Sequence, residues 1–349
     1  MMRMDCHMHS TVSDGSFTIP QLIERAKQNG LDAIVLTDHD TLSQRNQIPE
    51  TEGLQVFAGI EISAYDYKND FRVHMLGYRI QRPEGTEQIV HPTLEARHAN
   101  SMKQIAILNQ HGYEIDVDKL HRADGKYIYK QHIMDDLVQR GKAPDMFGTF
   151  YQTTFKHGGI CDFDIHYPSP LEALRAIKDA GGLAVLAHSG QQQNFCIIPE
   201  LVEAGLDGLE LQHHANKEKD RAIIRQYAEQ YHLFLTGGSD FHGRYEGVSV
   251  DVGDYIAEPS GVCALLANDS FGCFGRPAGN LFVDLCTRRN IVSAGNVCVG
   301  ILYHAFECIT FAAGCRRRRA DCWFAASADG ISIASLWNSC RNHGVDCEP

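Results

Sequence analysis

The segment DCHMHSTVSDG near the start of the 349-residue chain packs four residues able to bind a metal or move a proton: Asp5, His7, His9 and Asp14. In an extended strand, residues two apart project to the same side, so Asp5, His7 and His9 share one face. Three donors on one face make half a metal site. Apolar runs further along end in the same chemistry. AIVLTDHD closes on Asp38, His39 and Asp40, LQVFAGIE closes on Glu61, and FRVHMLGY carries His74. LAVLAHSG reaches His188, LDGLELQHH ends in His213 and His214, and LFLTGGSDFH ends in Asp240 and His242.

A single histidine at a strand end is usually a hydrogen-bonded structural residue, and Asp38 or Asp40 alone would cap a following helix. Six runs ending this way are harder to explain separately. Burying so many ionisable groups without partners is costly, whereas imidazoles and carboxylates around divalent cations satisfy one another. Such ligands without thiolate suit Zn, Mn or Fe better than Ca or Mg. More than four of them imply more than one ion.

The elements that must position these residues alternate. TIPQLIERAKQNG reads as a helix capped by Thr18 and stopped by Gly30. LDAIVLTDHD reads as a buried strand, and LQVFAGIEIS and FRVHMLGYRI are further strand candidates. LEALRAIKDAGG followed by LAVLAHSG repeats helix then strand, as do LVEAGLDGLELQHH and IIRQYAEQYHLFLTGGSDFH. This rhythm predicts a parallel α/β arrangement, in which the C-terminal strand ends converge on the ligand site. Residues 84–170 break it: LEARHANSMKQIAILNQHGY and QHIMDDLVQRGK carry helical spacing. They predict a helical insertion between two pieces of one domain, 1–83 and 171–262.

The formal charge of −12 argues against a sequence-blind grip on long nucleic acid, which needs a basic surface. It permits a small phosphorylated substrate, because bound cations reverse the local sign. No apolar leader or membrane-length stretch is visible, so a cytoplasmic protein without a membrane partner is expected. No feature specifies an oligomeric state. Composition changes near residue 263. Nine of the twelve cysteines fall between Cys263 and Cys347, and the last lysine of the chain is Lys219. Residues 263–349 read either as a Cys-rich accessory domain or as out-of-frame translation.

DCHMHSTVSDG, LTDHDT, GIEIS, LAVLAHSG and GGSDFH, in that order, resemble the motifs of the PHP (polymerase and histidinol phosphatase) superfamily. The similarity covers residues 1 to about 262 and is closest to the stand-alone metal-dependent phosphoesterases. The resemblance implies a distorted (β/α)7 barrel with a small helical insertion. It also implies metal ligands at His7, His9, Asp14, His39, Glu61, His74, His188, Asp240 and His242. Nine such ligands imply three divalent ions (Mn, Fe or Zn), with Glu61 as a bridging carboxylate.

The related phosphoesterases often carry Arg-x-His at the insertion, where this chain reads YKQHIMDDL. Lys130 and His132 are the counterparts, and lysine gives up bidentate recognition of phosphate. His213 is the further candidate for a phosphate contact or a proton donor. YKQHIM also resembles a branch that opens cyclic phosphodiesters of small sugars and then removes the phosphate. The expected activity is hydrolysis of phosphate esters of small sugars or nucleotides, cyclic ones included. The competing readings are a 5′–3′ exonuclease on short oligonucleotides, a 3′,5′-bisphosphonucleotide phosphatase, and a metal-binding module without catalysis.

Overall fold

The computed structural model describes residues 2–122, 127–245 and 249–267. The Cys-rich tail lies outside the described residues from residue 268 onward. The fold is mixed α/β. Strands β1 (Met4–Asp5), β2 (Ala33–Leu36) and β3 (Gln55–Ala58) form one parallel sheet in that order. A second sheet runs β4 (Ile60–Asp66), β5 (Phe71–Tyr78), β6 (Leu183–Leu186), β7 (Gly208–Gln212) and β8 (Phe234–Gly237).

Helix α1 (Ile19–Gln28) forms where expected. The Thr18 N–H donates to Gln21 Oε1 at 2.8 Å, and Gly30 ends the turn with φ +68°. Its buried face, Leu22, Ile23 and Ala26, packs with Ile34 and Leu36 of β2. Each such buried leucine or isoleucine contributes about 1.5–3 kcal/mol.

Between β5 and β6 lie α2 (Pro83–Gln110), α3 (Lys130–Gln139), α4 (Thr149–Phe155) and α5 (Pro170–Asp179). Residues of the first three enclose a core of their own around Leu108, Ile133, Leu137 and Phe155. Helix α2 begins at Pro83 and passes through Pro92, earlier than the periodicity from Leu94 suggests. Tertiary contact explains the difference: Thr86 and Val90 are buried, and Thr86 Oγ1 donates to the Ala176 carbonyl of α5 at 3.2 Å. Helices α6 (Ser189–Gln192), α7 (Ile198–Glu203) and α8 (Glu218–Tyr231) join the last strands, and α9 (Pro259–Leu266) packs on β8. The boundary expected at residue 262 therefore falls inside α9.

Two expectations need correction. LQVFAGIEIS is not one strand: it divides at Gly59 into β3 and β4, which belong to different sheets. A Cβ at Gly59 would stand 3.0 Å from both the Gly77 carbonyl oxygen and Val35 Cγ1, so any larger residue would crowd the crossing. The second sheet is also not parallel throughout, because β5 runs antiparallel to β4 and β6. The four-residue link 67–70 is far too short for a parallel crossover, and a turn closes it, with Asp66 accepting from the Lys68 and Asn69 N–H groups. The sheets are joined at their seams by the isolated parallel bridges Met8–Phe241 and His39–Glu61 and by further backbone hydrogen bonds, among them Cys6 N–H to the Gly237 carbonyl at 3.0 Å and Asp40 N–H to the Glu61 carbonyl at 2.9 Å. Among the described residues they do not form a continuous closed barrel.

Candidate metal centre

The bridged seams bring the strand-end residues to one mouth. His7 and His9 follow β1, His39 follows β2, and Glu61 is the second residue of β4. His188, His213 and the pair Asp240 and His242 follow β6, β7 and β8. His74 comes instead from the middle of the reversed strand β5, opposite Ser63 in the register. Its direction of approach is set by the antiparallel hairpin.

Glu61 lies at the middle. Its Oε2 is 3.1 Å from His7 Nε2, 3.1 Å from His9 Nε2 and 3.3 Å from His39 Nδ1. Its Oε1 is 2.8 Å from His74 Nδ1 and 2.9 Å from His188 Nε2. Asp240 Oδ1 is 3.2 Å from His7 Nε2 and 3.1 Å from His9 Nε2. Asp14 stands on the other side of His9, 3.5 Å from His242 Nε2 and 3.9 Å from His39 Nε2. The structure thus gathers all nine residues that the resemblance marks as ligands. Eight of them fall into three overlapping groups whose ligand atoms lie within 4.8 Å of one another: His9, Asp14, His39 and His242; His7, His9, Glu61 and Asp240; and His39, Glu61 and His74. His188 joins through Glu61.

Hydrogen bonds around the centre show which nitrogens are left to bind. Glu210 Oε1 is 2.9 Å from His7 Nδ1, and Glu210 Oε2 accepts from the His188 N–H at 2.8 Å. With its Nδ1 proton donated to Glu210, His7 turns the Nε2 lone pair towards two carboxylate oxygens. His242 Nδ1 likewise lies 2.8 Å from the Asp240 carbonyl oxygen, leaving Nε2 towards Asp14. His7 Nε2, both ring nitrogens of His9, His39 Nδ1, Asp14 Oδ1 and Asp240 Oδ1 are buried without a hydrogen-bond partner. Lone pairs facing lone pairs inside a protein are strongly unfavourable. Divalent cations remove the conflict, and a carboxylate that holds the far side of a ligating histidine is the usual support for them. The donor set fits metal ions.

The electrostatics agree. Burial opposes ionisation of Glu61 and Asp240, yet the surrounding imidazoles hold both carboxyls well below the ordinary range. Burial pushes His39 down to about 3. His188, Asp40 and Asp240 have φ of +21°, +56° and +55°, a region uncommon for non-glycine residues, though Asp and His enter it more readily than most. Gly238 is required by close approach, since a Cβ there would lie 2.3 Å from His7 Cβ.

Outside the nine, Asp5 accepts from the N–H groups of His7, Ser239 and Gly253. Burial pushes its carboxyl up to about 6. Asp38 does not cap a helix but accepts from the backbone and hydroxyls of Ser10 and Ser13. Asp40 accepts from the Ser63 N–H and, at 2.6 Å, from Arg97 of α2.

The three candidates for substrate chemistry differ. His213 is fully buried, its Nδ1 accepts from the Ala215 N–H, and its Nε2 lies 3.2 Å from Asp240 Oδ2. His132 is also fully buried; its Nδ1 accepts from the Tyr129 N–H, which leaves a proton on an unpartnered Nε2. Burial holds that ring down at about 4. Lys130 is the first residue of α3, next to Gln131, whose Nε2 donates to Asp14 Oδ2 at 2.8 Å.

Sequence reasoning passed over Glu210, Arg97 and Gln131. Glu210 had a visible signal, a carboxylate inside the buried run GLELQ. Arg97 and Gln131 had none, because each acts across a long stretch of chain.

The profile of the PHP domain family matches residues 5–182. A phosphoribosyl 1,2-cyclic phosphate 1,2-diphosphodiesterase of Eggerthella lenta is 42% identical over 250 residues, covering 69% of this chain and 94% of that protein. A 3′,5′-nucleoside bisphosphate phosphatase of Chromobacterium violaceum is 29% identical over 264 residues, covering 71% and 90%. The crystal structure of a metal-dependent phosphoesterase, so described, from Bifidobacterium adolescentis superposes with a TM-score of 0.69 at 28% identity, covering 76% of this chain and 96% of that one.

Proposed function

The chain belongs to the PHP domain family, and from that membership we propose a metal-dependent phosphoesterase acting on small phosphorylated sugars or nucleotides. It is a hydrolase: water adds to phosphorus, the ester oxygen leaves with a proton, and an alcohol and a phosphate result. The named substrates of the two relatives each carry two phosphoryl groups, one of them a cyclic diester in the Eggerthella lenta enzyme. Opening of a cyclic diester of a small sugar followed by phosphate release is the reading that the higher identity favours. The bridged sheets are read as an opened barrel of PHP type.

One observation carries the proposal: the buried, unpartnered nitrogens and oxygens around Glu61 and Asp240. We assign His7, His9, Asp14, His39, Glu61, His74, His188, Asp240 and His242 as ligands of three ions of the Mn, Fe or Zn class. Bound there, divalent ions supply an activated water and the charge that offsets phosphoryl oxygens. The chain's own residues do the positioning. Glu210 fixes the His7 tautomer, and His213 holds Asp240 with both ring nitrogens engaged. His132 stays neutral and acts as a hydrogen-bond donor through its Nε2–H, while Lys130 supplies positive charge at the start of α3.

The test is metal analysis and phosphate release from the full chain reconstituted with manganese. The panel is ribose cyclic phosphates, 3′,5′-bisphosphonucleotides and short oligonucleotides. Bound metal with phosphate released from sugar or nucleotide esters supports the proposal. A folded, metal-loaded protein that releases phosphate from none of them overturns it.

A further inference from the structure

Asp14 and His242 each belong to one candidate ion group alone, that of His9, Asp14, His39 and His242, whereas His9 and His39 are shared with the other two groups. Those other groups draw their remaining residues from β4, β5 and the segments after β1 and β8. Asp14 and His242 sit on loops, and one face of α3 reaches both loops. Gln131 and Asp135 are four residues apart on that helix, so their side chains lie on the same side. Gln131 Nε2 donates to Asp14 Oδ2 at 2.8 Å. The buried Asp135 accepts from Arg244 Nε and Nη2, each at 2.8 Å, and from the Tyr245 hydroxyl at 3.3 Å. Arg244 stands two residues after His242, and Tyr245 is buried in the insertion's core with Ile133 and Leu137. Just before α3, the Tyr129 hydroxyl donates to the His39 carbonyl at 2.9 Å.

Residues 129–135 thus hold three of the four members of this group, two directly and one through Arg244. The two loops are also tied to each other. Ser16, two residues after Asp14, donates from its N–H and its hydroxyl to the His242 carbonyl at 3.0 and 3.1 Å. Its hydroxyl oxygen accepts from the Arg244 N–H at 2.9 Å. A Cβ at Gly243, between them, would collide with Ser16 Oγ. A bidentate guanidinium–carboxylate pair fixes orientation as well as supplying energy. Loops ordered before an ion arrives do not charge their ordering entropy against its binding. The bond from Gln131 also occupies one Asp14 oxygen and leaves Oδ1, buried without a hydrogen-bond partner, turned towards the group.

We propose that α3 of the insertion is the positioning element for one ion of the centre, the ion held by His9, Asp14, His39 and His242, with Gln131 and Asp135 as its positioning residues. The sheets position the rest. The insertion and that ion form one unit, and loosening α3 releases that ion before the others. This deepens the metal assignment made above and rests on it.

The test counts ions rather than turnover. The full chain is loaded with manganese, dialysed against increasing chelator and analysed for manganese per chain. Gln131→Met, Asp135→Asn, His242→Ala and the double variant of Gln131→Met with His242→Ala are treated alike. Gln131→Met and Asp135→Asn each weaken one ion by about 10- to 100-fold, the loss usual for a residue that supports a ligand, and leave the others at wild-type affinity. His242→Ala loses that same ion, so the double variant loses no more than His242→Ala alone. Arg244→Lys, which keeps the charge but not the paired donors, falls between the wild type and Asp135→Asn. Urea unfolding of the metal-stripped proteins separates positioning from folding, and there Gln131→Met matches the wild type. Ions held as tightly in Gln131→Met and Asp135→Asn as in the wild type overturn the proposal, and so does an equal weakening of every ion. If the wild type holds no manganese, the metal assignment and the positioning role fall together. If it holds the ions but releases no phosphate from any ester, only the phosphoesterase reading fails, and the ion count still decides the role of α3.

Discussion

At the scale of single residues, the centre depends on lone pairs that cannot face one another without cations between them. Glu61 has five imidazole nitrogens within 3.3 Å. Glu61→Gln should release bound metal and lower turnover on the order of a thousandfold, read by metal analysis alongside phosphate release. The Glu210 carboxylate hydrogen-bonds to the back of His7 and to the His188 backbone. Its replacement by glutamine should weaken metal affinity by about 10- to 100-fold while leaving the nine residues proposed as ligands in place, which a competitive chelator titration measures. Lys130 carries a pH prediction. Burial pushes its ammonium down to about 8, with Lys156, Arg72 and Arg97 acting in the same direction and Asp164 opposing. Above that pH the free enzyme loses a positive charge, so kcat/KM for phosphorylated substrates should fall as pH rises through about 8. Lys130→Arg, always charged, should move that limb to higher pH. An identical limb in the two proteins would assign it to another group.

At the scale of elements, helices of the insertion and the strand-end loops are tied by a few buried polar contacts. Arg97 of α2 donates to Asp40, one residue after His39, and its guanidinium lies 5.0 Å from the Tyr129 ring centroid. Asp40 is fully buried. Removing its partner leaves an uncompensated carboxylate, so Arg97→Met should destabilise the fold by about 3–5 kcal/mol, measured by urea unfolding. Two residues after His242, Arg244 donates from Nε and Nη2 to the two oxygens of Asp135 in α3, each at 2.8 Å. That clamp fixes the loop carrying His242 against the helix carrying Lys130 and Gln131. These elements were unequally legible. α1 and α5 stand out through their caps and apolar spacing, with Ser169 and Glu172 closing a capping box on α5. The start of α2 was hidden by Pro92, and the break between β3 and β4 by a run that looks continuous.

At the scale of the whole molecule, every residue assigned to the centre lies between His7 and His242, inside the described residues. A chain ending after residue 267, so that α9 is kept whole, should retain metal binding and phosphate release, assayed beside the full chain. Loss of both would show that the remaining residues complete the site. Metal also contributes to stability, because ions that bind only the folded centre shift unfolding by mass action. Stripping it with a chelator should lower Tm, and manganese should restore it. Among the described residues no helix is long and apolar enough to cross a membrane.

The chain's own letters determine what kind of site this is. Six histidines and three carboxylates of the right type stand at the ends of, or within, short apolar runs, and strand geometry turns them to one side. That information is local: it follows from alternation, from strand ends and from motifs a few residues long. Tertiary structure alone decides how the parts meet. It reverses β5 so that His74 enters from mid-strand, and it joins two sheets along short seams at the centre. It brings Gln131 to Asp14, Arg97 to Asp40, and Arg244 to Asp135. Each of those approaches closes a loop of tens of residues, and nothing in the spacing within either segment specifies which distant side chain will face it.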